Sequence, residues 1–420
     1  MYVEESSKKT NDVIIFSLML LVIWKPTPTI LLGESLGYKF GDILLLITII
    51  SILVRIKNII NPMNLNYIFL VFFIFVEIVS LFFSSLRLPV ILDDLFELFR
   101  PVLYLLIYLT VYSLVNNSIF YKDSIRRVYI ALFIFFVISV FQLFNFLGTK
   151  NIMSFFYEVS KSRTFDTSES IWRLASTFTN PNYFSFFLAI TLSFFFSGIL
   201  VSENIKEKVW NLIFSIVVLS LVLFTGSRTG LVASIISVLG IYFVYTFKTY
   251  RKSTLYKFIS IITFFLLMIF ITFYSQDFLN RFERFSDVEN IKFNLYVRYE
   301  IWFEALDKWK QSPLIGNGPY KYYMDTFDSN YVLMLYRYGL IGLTLFILLF
   351  FFNILKSIKN AHTKFSLGMV GVNIVFMISM ISAISFNFIQ LGAIYIGLVA
   401  VQDKIIYLNE RGKNNIEYKN

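Results

Sequence analysis

The chain has 420 residues, 57% of them hydrophobic and only 15% charged, with 50 Phe, 26 Tyr and a mean hydropathy of +0.70. That composition excludes an ordinary soluble domain and predicts an all-α, polytopic membrane protein. With no Cys, disulfides, thiolate metal sites and thiol nucleophiles are excluded, and the net charge of +10 is scattered over short loops, which argues against a nucleic-acid partner.

A helix needs about 20 residues to cross about 30 Å of hydrocarbon, and on that ruler the apolar runs predict about twelve spans in one transmembrane domain, 1–420. No charged, apolar and small-residue succession of a signal peptide opens the chain, so the first run, 13–32, is expected to stay in the protein despite Pro26 and Pro28. Further spans are expected at 41–56, 67–84, 98–115, 128–147, 181–201, 209–225, 229–247, 257–275, 330–352, 366–385 and 389–407. The uncharged stretch Phe365 to Gln402 would reach roughly 57 Å as one helix, so it must turn, near Ser385-Phe386-Asn387.

With the N-terminus in the cytoplasm, the segments 1–12, 55–66, 116–127, 202–208, 248–257, 353–365 and the tail from Gln402 lie inside. They carry 20 Lys and Arg against 9 Asp and Glu, whereas the rest carries 17 against 18. Positive charge thus follows the cytoplasmic face, and both termini are expected there. Two long connections, 148–179 and 276–329, then fall on the outer face, where binding and catalysis commonly sit on a helical scaffold. In the second, Leu295, Arg298, Trp302, Ala305, Leu306 and Trp309 recur at helical spacing; apolar Leu295, Trp302, Leu306 and Trp309 make one stripe with Glu304, Asp307 and Lys308 largely opposite, which predicts an amphipathic helix on the outer membrane surface. The run from Ser312 to Pro319 is its stop signal.

An arginine at a span end must reach water, headgroups or a counter-charge. Arg228, in Thr225-Gly226-Ser227-Arg228-Thr229-Gly230, therefore either anchors a helical hairpin at the interface or meets an anion, and Thr229 begins a helix whose N-terminus favours anions. Arg298 reads either as a second anion clamp or as a surface partner of Glu300 and Glu304. Arg163 and Arg173 lie in the first outer connection, with Arg173 the better placed. Glu77 and Arg337 fall inside spans, where they pair with each other or with Glu97 and Arg100. Asp93-Asp94 and Asp325 with Asp328 are the compact outer carboxylate sets; neither has His or Cys beside it, so no metal and no cofactor is expected.

The order of these pieces carries a resemblance. Asn180-Pro181-Asn182 opens a span, the Ser227-Arg228-Thr229-Gly230 turn follows, then Arg298-Tyr-Glu-Ile-Trp302, Pro313-Leu-Ile-Gly316-Asn-Gly318, Asp328-Ser329-Asn330-Tyr331 and Gly339-Leu-Ile-Gly342. Over roughly residues 170 to 345 this set resembles the O-antigen polymerase and ligase superfamily. The resemblance implies a GT-C-like membrane glycosyltransferase that takes a sugar chain from undecaprenyl pyrophosphate on the outer face of the bacterial cytoplasmic membrane. Ligases of that superfamily place a His-Asn or His-Ser pair before a spaced Gly-x-x-Gly; here the pair is Asp328-Ser329, and the lone histidine, His362, is on a loop expected inside. The missing histidine points to a Wzy-type polymerase of O-antigen, capsule or exopolysaccharide, with ligase as the alternative and a lipid-linked oligosaccharide flippase as the second. No twofold repeat of broken helices supports the flippase.

On this resemblance Arg228 holds the pyrophosphate as a planar, permanently charged donor, and Arg298 is a second anion clamp or an acceptor-positioning group. Asp328 acts as general base toward the acceptor hydroxyl, or instead caps the span starting near Asn330. Arg173, Asn180, Asn182, Ser227, Trp302 and Asn330 are candidate substrate contacts, the two asparagines alternatively serving only to start a helix with Pro181 at its first position. Implied partners are the lipid-linked oligosaccharides, membrane lipid, a flippase and a chain-length regulator.

Overall fold

The computed structural model describes residues 14, 17–55, 64–87, 89–115, 120–157, 173–178, 180–249, 288–321, 324 and 327–417. They form helices α1 (Glu34–Arg55), α2 (Leu65–Ser85), α3 (Leu92–Glu97), α4 (Phe99–Leu114), α5 (Phe120–Phe144), α6 (Thr149–Phe156), α7 (Pro181–Val201), α8 (Ile205–Phe224), α9 (Arg228–Thr249), α10 (Val288–Trp309), α11 (Asn330–Lys359), α12 (Lys364–Ser382) and α13 (Ile389–Glu417). Eight helices among the described residues are long and apolar enough to cross a membrane: α2, the segment Asp93–Leu114, α7, α8, α9, α11, α12 and the first 22 residues of α13. The protein is a helical, polytopic membrane protein. The expected span at 257–275, and Arg163 and Asp325, lie outside the described residues.

The first expected span is shorter than 13–32. Its helix stops before Lys25, because Pro26 and Pro28 lack the N–H groups a helix needs, and ahead of a single helical turn, Thr29–Leu32, the chain is extended from there to Pro28. There the Thr27 N–H donates to the Phe156 carbonyl at 2.8 Å, so the N-terminal segment docks on α6. The expected span 128–147 starts earlier and ends at Phe144, where Asn145 and Leu147 take positive φ of 50° and 55°.

Helix α7 is apolar on all sides and is the central helix: 78% of its membrane window is buried, against 28% for α2. Helices α8, α9 and α12 pack around it. Small residues set the spacing, since a Cβ at Gly230 would meet Ser185 Oγ at 2.0 Å and one at Gly371 would meet Ser193 Oγ at 2.6 Å. Far from the α12–α13 turn, the buried Asp403 carboxylate accepts from Asn66 at 2.7 Å and Tyr108 at 2.6 Å and pairs with Lys356, tying α2, α4, α11 and α13 together.

Helix α11 is broken. Gly339 has φ 63° and ψ −164°, a left-handed backbone that interrupts the helical ladder inside a span. Backbone groups at membrane depth need partners, and the stretch 313–318 supplies them. The Asn317 and Gly318 N–H groups donate to the Tyr336 and Arg337 carbonyls at 2.9 Å each, while Leu340 and Ile341 N–H groups donate to Pro313 and Leu314 carbonyls at 2.9 and 3.2 Å. The approach is possible only without side chains: a Cβ on Gly339 would lie 2.3 Å from the Leu314 oxygen, and one on Gly316 2.4 Å from the Arg337 carbonyl. The motif residues Gly316, Gly318 and Gly339 are therefore two halves of one backbone joint.

Beside the joint, Glu97 collects three cations. Its carboxylate meets Arg100 at 2.6 Å, Lys321 at 2.7 Å and Arg337 at 2.8 Å, while the Lys321 N–H donates to Asp94 at 2.9 Å. The side chains of Glu97 and Arg337 are only 5% and 4% exposed, and Glu77 accepts from the Tyr338 hydroxyl one helix away. Arg337 thus pairs with Glu97 and not with Glu77.

Two glycines give a direct check of the joint. Gly339→Ala combines forbidden φ with a backbone clash and is expected to lower stability by about 3 kcal/mol or prevent folding. Gly397→Ala, where a Cβ would meet nothing within 4 Å, is expected to leave the thermal unfolding midpoint in detergent unchanged or slightly raised.

Candidate functional site

Four helix N-termini gather at the C-terminal end of α12 and the turn 383–388. The first turn of α7 arrives through Tyr183, whose ring stacks on Phe388 with centroids 4.1 Å apart. The first turn of α9 arrives through Thr229, whose hydroxyl accepts from Ser382 at 2.9 Å. The start of α11 arrives through Ser329, whose hydroxyl donates to the Met380 carbonyl at 3.1 Å, and through Asn330. Asn330 Nδ2 donates to Asn387 Oδ1 and its Oδ1 accepts from the Phe386 N–H, both at 2.9 Å, so its fully buried amide builds the turn from which α13 starts. Aligned peptide dipoles put partial positive charge at each of these ends, which favours an anion there.

The turn 225–230 is fixed from two sides. Gly226 takes φ 60°, and the Ser227 hydroxyl accepts from the Gly230 N–H at 3.1 Å, which caps α9. Arg173, only 7% exposed, donates from Nε to the Thr225 carbonyl and from Nη2 to Asn182 Oδ1, both at 2.8 Å. Asn180 caps α7 by accepting from the Asn182 N–H at 2.8 Å, with Pro181 at the first helical position. Arg173, Asn180, Asn182 and Ser227 therefore join the starts of α7 and α9 and set where Arg228 stands. Arg228 itself is half-buried as the first residue of α9.

The second constellation sits on α10 and the approach to α11. Arg298 Nε lies 3.1 Å from Asp328 Oδ2, and Trp302 Nε1 donates to Asp328 Oδ1 at 2.9 Å. Both side chains of the pair keep solvent access, 31% for Arg298 and 25% for Asp328. Arg298 thus meets Asp328 in place of the expected Glu300 or Glu304. Ser329, not Asp328, occupies the cap position of α11, and it makes no capping bond. A carboxylate offers about four lone-pair sites, so two accepted contacts leave Asp328 able to take a proton from a third group.

The two constellations meet through α12. Ser329, next to Asp328, bonds Met380, and Thr229, next to Arg228, bonds Ser382, two residues further on. Arg228, Arg298, Trp302 and Asp328 therefore belong to one end of the bundle, whereas the buried amide of Asn330 supports it from below. Sequence reading missed Lys321 and Ser382. Neither had a signal in the local pattern: the place of Lys321 depends on the joint, and that of Ser382 on the packing of α12 against α9.

The α10 helix forms with the expected face toward the protein: Trp302, Leu306 and Trp309 are half-buried around the buried Ala305, and Ile301 packs beside them, while Leu295 near its start is 46% exposed. The small Ala305 side chain permits the closest approach to α11.

A double-mutant cycle on Arg298→Ala and Asp328→Ala is expected to give a coupling in thermal unfolding below about 1 kcal/mol, as for other part-exposed ion pairs. A larger value would make the pair a structural clamp.

No curated protein matches the chain. Residues 213–347 match the family model described as O-antigen ligase, a stretch that includes Arg228, Arg298, Trp302, Asp328 and the glycines of the joint. Members of that family are membrane enzymes of glycosyl transfer, and the stretch from within α8 to within α11 is similar to them.

Proposed function

We propose that the protein is a metal-independent polymerase that joins undecaprenyl-pyrophosphate-linked oligosaccharide repeat units into a surface polysaccharide on the outer face of the cytoplasmic membrane. The observation that carries this reading is the meeting of four helix N-termini, Arg228 and the Arg298–Asp328 pair at one end of an apolar bundle. Charge counting puts that end outside, where sugars carried on lipid pyrophosphate are used.

In the proposed reaction the acceptor hydroxyl attacks the anomeric carbon of the donor sugar. Its proton passes to the Asp328 carboxylate, the new glycosidic bond forms, and the bond between the anomeric carbon and the pyrophosphate oxygen breaks. Undecaprenyl pyrophosphate leaves with the electron pair. Arg228 and the α9 N-terminus stabilise the charge that grows on this leaving group, and Arg298 with Trp302 holds Asp328 toward the hydroxyl. No step calls for a metal or a cofactor. A flippase would supply the repeat units and a chain-length regulator would end the growth.

The matched family's description keeps a second reading in place, transfer of the finished glycan to a different acceptor. Asp328 where ligases carry histidine favours polymerisation. A flippase is the weaker reading, since the matched family is one of glycosyl transfer.

Reconstitution with one lipid-linked repeat unit as the only sugar source separates these. A ladder that grows on lipid supports the polymerase, products that need an added acceptor support the ligase, and translocation without new bonds removes both. In this assay Arg228→Ala is expected to abolish the ladder with the unfolding midpoint unchanged, and Arg228→Lys to restore part of it, because charge is kept but the planar fork is lost. A normal ladder from Arg228→Ala would take Arg228 out of the site.

A further inference from the structure

The outward side of α10 carries rings that nothing among the described residues covers. Tyr296, Tyr299 and Phe303 are 60%, 51% and 68% exposed, and at i, i+3 and i+7 they share one face, opposite the buried Ala305. They rise about 10 Å along the helix. Glu300, Asp307 and Lys310 lie on the same side, Lys310 paired with Asp307 at 3.1 Å, and the Tyr296 hydroxyl donates to Glu300 one turn on. Tyr299 packs edge-on against Trp302 with centroids 6.0 Å apart, and Trp302 donates to Asp328. The ring stripe therefore runs without a gap to the proposed base.

We infer that this face is a glycan-binding platform that stacks the sugars of the lipid-linked oligosaccharide and leads the chain to Asp328; the inference rests on the proposed polysaccharide function and names a subsite for it. The face of an aromatic ring is electron-rich and its rim is not, so it receives the weakly positive C–H face of a pyranose. The flanking carboxylates accept hydrogen bonds from sugar hydroxyls. Glu300 among the rings speaks against a seat on anionic lipid, because helices that lie on such membranes present free Lys and Arg beside their apolar face, whereas Lys310 on this side is paired with Asp307. Continuity with Trp302 speaks against a second copy of the chain, which would close the entrance to the site.

The test compares wild-type protein with Tyr299→Ala/Phe303→Ala, two changes at residues more than half exposed. The probe for binding is the repeat-unit oligosaccharide released from its lipid, followed by saturation-transfer NMR, with a single free monosaccharide as the short control. Wild-type protein is expected to bind the oligosaccharide, and the double variant to bind it at least tenfold more weakly. In transfer assays KM for the lipid-linked repeat unit is expected to rise at least tenfold with kcat within about twofold, and Tyr299→Phe to behave as wild type. Unchanged oligosaccharide binding by the double variant would overturn the platform. So would an equal rise in KM for a lipid carrying one sugar, which would mark the face as a membrane seat, or a change of oligomeric state in the double variant with sugar binding intact. Oligosaccharide binding without any transfer would keep the platform and remove the polymerase reading.

Discussion

A span that breaks inside a membrane leaves carbonyl and N–H groups that water cannot reach, and each costs several kcal/mol if it stays unpaired. Helix α11 breaks at Gly339 and is closed again by four backbone hydrogen bonds from the stretch 313–318. This joint ties the connection after α10 to the middle of a span. Because α10 precedes the joint and Asp328 precedes α11, the separation of Arg298 and Asp328 follows from backbone held at both ends rather than from the side chains alone. The glycines at 316 and 339 are the condition for it, since a Cβ at either would sit under 2.5 Å from opposing backbone.

The ion cluster around Glu97 serves the same joint. Buried charge is costly to desolvate, and a lone Arg337 next to the break would have no compensation. Glu97 compensates it, and the same carboxylate holds Lys321 just beyond the glycine turn and Arg100 at the start of α4. The short helix α3 adds Asp94, which accepts from the Lys321 backbone. Two segments far from α3 along the chain, around Lys321 and Arg337, are therefore held by its Asp94 and Glu97. Such a cluster adds little net stability over an apolar replacement of the same shape, but it selects one register of the joint against others.

Much of this was legible in the sequence, and what escaped is instructive. The expected spans at 67–84, 181–201, 209–225 and 229–247 coincide with α2, α7, α8 and α9 within a few residues, because length and hydropathy alone decide whether a run can cross hydrocarbon. The turn near Ser385-Phe386-Asn387 was forced by the same ruler. The break at Gly339 was not legible: hydropathy runs through it, and a glycine in a span carries no mark of whether it is helical. Arg298 and Asp328 were both readable as candidates, yet their contact depends on a pairing of segments 30 residues apart that no local pattern encodes. Helix α10 was legible in its face as well as its period. Trp302, Ala305, Leu306 and Trp309 turn toward the protein as their spacing suggests, and only Leu295, near the start of the helix, stays exposed.

The contrast between the two ion pairs indicates how rigidity and reactivity are divided. Glu97 and Arg337 are about 5% exposed, so separating them would leave bare charge in a poorly solvated place, at a cost of several kcal/mol. Arg298 and Asp328 are 31% and 25% exposed, where water screens the pair and its net worth falls to about 1 kcal/mol or less. A pair that weak lets Asp328 take up an incoming hydroxyl without loosening the fold. Helix N-termini add to this, because their dipoles are fixed by the backbone and need no rearrangement when an anion arrives. The strong interactions of this protein thus lie where the backbone must not move, and the weak one lies where proposed chemistry needs groups that can change partners.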